Sequence, residues 1–127
     1  MKLRRITINE NVYLYKMQGE VHLVTEDSVL SVKIFLKYYK LTPLVLNFHT
    51  WDDPIIGFPL NNGFPLFNSL SGEEEKINLN RPKYIRECIL YGEKEGWNGK
   101  NKLGPLDGLK MLEDLGYDTS VLLPKTK

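Results

Sequence analysis

The stretch from Lys76 to Trp97, KINLNRPKYIRECILYGEKEGW, constrains the fold more than any other part of this chain. It carries the signals of a short strand, a capped helix start, one amphipathic helix and a glycine stop. The Asn80 side chain can accept from first-turn amides, and Pro82 stands near the first helical position, where no donor is needed. Ile85, Cys88, Ile89 and Gly92 then fall on one helical face, flanked by Tyr84 and Tyr91. Gly96 supplies the left-handed conformation that closes such a helix, and Trp97 is expected to fold back over Gly92 and Tyr91. A helix with one apolar stripe needs a surface to cover.

The first half of the chain offers that surface. Ile6 and Ile8 share a face, Asn9-Glu10-Asn11 turns, and Val12 to Met17 returns as a second strand. Gln18-Gly19 reads as another turn, and Val21 to Thr25 as a third strand or a continuation of the second. Leu30, Val32, Ile34, Leu36 and Tyr38 alternate with Ser31, Lys33, Phe35, Lys37 and Tyr39. From Leu44 to Thr50, Leu44, Leu46 and Phe48 oppose Val45, Asn47 and His49. Short turns between such runs imply antiparallel neighbours. Asp52 to Gly72, with three prolines and three glycines, reads as an ordered loop rather than a regular element. The tetrapeptide GFPL occurs in it twice, at 57–60 and 63–66. A charged turn at Glu73 to Lys76 precedes a strand at Ile77 to Leu79. A second helix, from Pro105 or Asp107 to Leu115, is capped by Gly116, and Val121 to Leu123 is an expected edge strand. The expected fold is α+β: a single domain over 1–127, with an antiparallel meander of four to six strands and two C-terminal helices packed on one face.

The opening pattern I-x-I-x-x-x-x-Y-x-Y (Ile6, Ile8, Tyr13, Tyr15) is followed by N-L-N-x-P at Asn78 to Pro82. A helix with Arg86 near its start, Gly96-Trp97, and Asp107-Gly108-Leu109 through Leu112 complete the series. In these motifs the chain resembles a group of small, uncharacterised bacterial single-domain proteins. The resemblance implies a shared fold and a bacterial cytosolic setting. The group has no assigned activity, so it implies no catalytic or binding residue.

A formal net charge of +1 argues against a mainly electrostatic partner such as duplex DNA or an anionic membrane. The one cysteine, Cys88, falls on the apolar helix face, as a core thiol does in a reducing compartment. The start MKLRRITINEN lacks the apolar core of a signal peptide, and no run is long and apolar enough to span a bilayer. The expected location is cytoplasmic. No pattern for a cofactor, a metal or a catalytic nucleophile stands out.

The candidate residues are therefore interaction residues. Trp51, Asp52 and Asp53 lie where a strong strand enters the long loop, and Phe58 and Phe64 are the loop's candidate anchors. Arg81 and Arg86, near the first helix's N-terminus, are candidate anion contacts. The first expectation is a non-enzymatic module that binds another protein, in an antitoxin-like or immunity-like role for example. A second is a small-molecule binder or minor enzyme with a pocket near His49, Asp52, Asp53 and Arg86. A third is single-stranded nucleic acid stacked on the Lys33, Phe35, Lys37 and Tyr39 face, which the near-zero net charge disfavours. An exposed meander edge also leaves a homodimer open.

Overall fold

The computed structural model describes residues 3–22, 27–50 and 58–122. Four strands, β1 (Arg4–Ile8), β2 (Asn11–His22), β3 (Asp27–Leu36) and β4 (Leu44–Thr50), form the antiparallel meander in sequence order. Asn9 and Glu10, both at positive φ (49° and 70°), make a two-residue turn closed by the Ile8–Asn11 pair. Two further strands, β5 (Phe64–Asn68) and β6 (Glu73–Ile77), pair as a separate antiparallel hairpin. Between β4 and β5 lies a one-turn helix, α1 (Pro59–Asn62). The two longer helices are α2 (Pro82–Lys94) and α3 (Gly108–Asp114). The short strand β7 (Leu106–Asp107) precedes α3 and adds to the sheet parallel to β4. This is an α+β fold.

Alternation decides which face is covered. Tyr13, Tyr15, Leu30, Val32, Ile34, Leu44, Leu46 and Phe48 all point to one side, and all are buried. Ile85, Cys88 and Ile89 of α2 and Leu109, Met111 and Leu112 of α3 complete the same core. Cys88 is fully buried, and its thiol is pushed up to about 12 by desolvation, so it serves as a core residue.

Both longer helices end in the same way. Gly96 (φ 107°) donates to the Glu93 carbonyl and Trp97 to that of Gly92; Gly116 (φ 100°) donates to Glu113 and Tyr117 to Leu112. Each is a Schellman closure, in which only glycine takes the left-handed position without strain. Trp97 then packs on Tyr13, with ring centres 6.0 Å apart, and donates from Nε1 to the Thr42 carbonyl. A Cβ at Gly92 would meet the Leu44 side chain, so α2 approaches β4 closely there.

Several local expectations give way. Gly19 is not a turn: β2 runs straight through it, and a Cβ there would collide with the Phe58 ring. Asn80 does not cap α2, whose N-cap is Arg81 with no side-chain bond. Its amide instead donates to the Asn61 backbone carbonyl and to the Asn61 side-chain oxygen, both at 2.8 Å, which stitches α1 to the turn before α2. Glu73 to Ile77 is a strand rather than a charged turn, and Ser120 to Leu122 is a 3-10 turn rather than a strand. The described part of the proline-rich segment is regular as well. Phe58-Pro59-Leu60 enters α1, while the second copy, Phe64-Pro65-Leu66, pairs in β5.

Candidate functional site

The end of the sheet that carries the β1–β2 turn also carries the connection from β3 to β4, residues 37–43. This connection is held from several sides. Lys37 N–H donates to the Val12 carbonyl and Tyr39 N–H to that of Leu36, both at 2.9 Å. The Thr42 hydroxyl donates to the Gly99 carbonyl at 2.7 Å, and the Thr42 carbonyl accepts from buried Trp97 at 3.0 Å. Residues 96–101 are tied in turn. Asn101 accepts from the Asn98 amide and donates to the Gly96 carbonyl, and Asn98 accepts from the Lys100 amide.

On this fixed base Tyr38 is 85% exposed and Leu41 86% exposed, with Tyr39 beside them at 41%. The alternation that puts Tyr38 on the core face stops at Leu36, because Tyr38 takes a φ of 75°. For a residue with a bulky Cβ this conformation costs about 1–2 kcal/mol. Lys37 Nζ lies 5.2 Å from the Tyr38 ring centre, and Lys100 Nζ lies 5.3 Å from that of Tyr39. The result is an exposed apolar tip on a bonded base, with cations at its rim.

A second feature is a cavity of about 410 Å³ along β2 beyond the start of β1. Phe58, Met17 and Leu30 form its apolar wall, and Arg4, Asn61 and Asn80 bring polar groups to it. The Arg4 guanidinium donates to the Asn80 carbonyl at 3.4 Å.

A third is the Glu75 carboxylate, which accepts from the Tyr84 hydroxyl, from the Tyr117 hydroxyl at 2.7 Å and from Lys83 at 3.1 Å. The Tyr84 bond does most to hold Glu75 below the usual carboxylate range. Burial, then the bond to Glu75, pushes the Tyr117 phenol up to about 12. Glu75 thus buttons β6 to α2 and to the segment after α3. The signal for it was the period of two, which sets Glu75 on the side of buried Ile77.

The expected site residues that lie among the described residues do not converge. Trp51, Asp52 and Asp53 lie outside the described residues. Phe58 and Phe64 are half-buried and pack against the core. His49 is exposed on the face of β4 away from the helices, so Arg86, on α2, is across the sheet from it. Arg81 borders a hollow with Glu75 and Lys76, whereas Arg86 borders a groove with Ile6 and Ile8. Phe35, in the expected base-stacking ladder, is only 8% exposed beneath Lys33, and Tyr39 lies past the strand's end. Among the described residues no group of three or more His, Cys, Asp or Glu side chains is placed to hold a metal ion, and no helix is long and apolar enough to cross a membrane. No family model, curated protein or solved structure matches the chain.

Proposed function

We propose that this chain is a non-enzymatic protein-interaction module whose partner seats on the tip formed by Tyr38, Tyr39 and Leu41. The observation that carries the reading is a bonded loop presenting two almost fully exposed apolar side chains, one of them at a strained φ. Tyrosines are enriched among the residues that carry binding energy at interfaces, and a loop already bonded in place loses less entropy on docking. The module works in the bacterial cytosol, and an antitoxin-like or immunity-like role is one form of it. The phenylalanines Phe58 and Phe64 support the domain rather than the contact.

A photo-reactive phenylalanine analogue at position 41, with position 90 on the outer face of α2 as control, tests the reading in the native cytosol. A discrete adduct is expected at 41 and none at 90. It should be competed by the unlabelled chain but not by the Tyr38→Ser, Leu41→Ser double variant. Equal diffuse labelling at both positions overturns the reading.

A small-molecule reading has one observation in its favour, the cavity beside Phe58. Its size is within the range of about 300–1,000 Å³ typical of ligand pockets. Ligand-observed NMR with a metabolite mixture, and Met17→Trp as the filled control, separates it from the first.

A further inference from the structure

The outer edge of β1 is a second, separate surface. β1 is the terminal strand of the sheet. Because Ile8 and Asn11 close a two-residue turn, Ile8, Ile6 and Arg4 exchange hydrogen bonds with β2, while the amides and carbonyls of Arg5 and Thr7 point away from it. These outward groups find no partner among the described residues. An unpaired row of this kind is a template for one more strand.

The surroundings of the edge have a definite chemistry. Beneath it runs a groove between Ile6 and Ile8 of β1 and Pro82, Lys83 and Arg86 of α2. Among the described residues the groove is lined by Arg86 and by Lys83, which pairs with Glu75, and by no carboxylate. Arg86 is exposed and makes no ion pair among the described residues. On the other side of the edge stands Arg5, also exposed. Among the described residues Glu75 is taken by Tyr84, Tyr117 and Lys83, and Glu10 is in the turn at the strand's end.

We infer that β1 receives an extended, acidic segment of a partner protein as an added strand. Its backbone would bond Arg5 and Thr7, its apolar side chains would enter the Ile6–Ile8–Pro82 groove, and its carboxylates, on the opposite face, would meet Arg5, while Arg86 at the groove's rim adds a longer-range attraction. A second copy of this chain fits poorly there, because β1 against β1 would bring two sets of Arg5 and Arg86 together. The inference is independent of the Tyr38 tip and survives if that reading fails.

The test uses two capped hexapeptides, Glu-Val-Glu-Val-Glu-Val and Lys-Val-Lys-Val-Lys-Val, followed by NMR of the full chain. The acidic peptide should protect the Arg5 and Thr7 amides from exchange and bind at least about tenfold more tightly than the basic one, with affinity falling as salt rises. Thr7→Pro removes only an outward donor and leaves the ladder to β2 intact, so it should weaken the acidic peptide at least about tenfold. The Arg5→Glu, Arg86→Glu double variant, which alters no strand bond, should reverse the preference between the peptides. Equal binding of both peptides, or unprotected Arg5 and Thr7 amides in the complex, overturns the inference. So does a peptide-free dimer in sedimentation that Thr7→Pro abolishes, since it would give the edge to a second copy.

Discussion

The two faces of the meander share the same strands and the same alternation, yet they differ in almost everything else. On one, Ile34, Leu46 and Phe48 are sealed beneath α2, α3 and the second hairpin. On the other, Val29, Leu14 and Val45 are half-buried, Ser31 donates to Asn47 across the strands, and Lys33 lies over Phe35. Lys16 and Lys33 are directly opposite one another on this second face. The contrast shows that one face suffices to specify the fold. The other face, the β1 edge and the Tyr38 tip are then free to carry charge and exposed rings.

The sharpest break in this comparison is within a single strand. Phe48→Ala, on the sealed face of β4, should cost about 3–5 kcal/mol in urea unfolding, through lost transfer energy and a cavity. Val45→Ala, three residues away on the other face, should cost about 1 kcal/mol or less. Similar losses at both positions would mean that the second face is covered as well.

The next effect concerns how the covering layer is held. Glu75→Gln keeps the shape but removes the charge that two phenols and Lys83 address, so a loss of about 1–2 kcal/mol at neutral pH is expected. The pH profile sharpens this. The folded Glu75 carboxyl is below its free value, so its contribution is complete above the free carboxyl range and disappears as pH falls through the lowered folded value. Tyr117 behaves in the opposite sense. Its phenol is raised to about 12, so its contribution is complete below the free value of about 10 and is lost as pH climbs through about 12. The acid limb should flatten in the variant and the alkaline limb shrink only by the share that Glu75 adds to burial; unchanged limbs would show that other groups set them.

The smallest expected effect has the opposite sign. Lys33→Glu turns the like-charge pair with Lys16 into an attractive one and should add about 0.2–1 kcal/mol, measured by thermal melting at low salt. A loss instead would indicate that the Lys33 ammonium over Phe35 matters more than the repulsion.

Much of this fold could be read from the residues, because the informative signals are local and periodic. The alternation through β3 and β4, the α2 stripe from Ile85 to Gly92 and the Gly96 and Gly116 stops each rest on a few consecutive residues. What could not be read depends on distant partners. Gly19 looks like a turn until Phe58 is placed on it. Asn80 looks like a cap until Asn61 stands within reach. The described parts of the two GFPL copies differ in structure because Leu60 accepts from the Leu79 amide and enters α1, whereas the second copy meets β6. The tip escaped for the same reason. Tyr38 continues the strand's rhythm in sequence, and only the ties of Lys37 to Val12 and of Thr42 to Gly99 and Trp97 turn it outward.

The paired helix stops have a consequence for how this scaffold can vary. Each left-handed glycine hands the chain at once to a buried aromatic, Trp97 or Tyr117. One residue added to or removed from either helix would swing that ring by about 100° around the axis and empty its berth. The two helices therefore behave as struts of set length, and tolerated insertions should collect in exposed connectors, around Lys102 to Pro105 for instance.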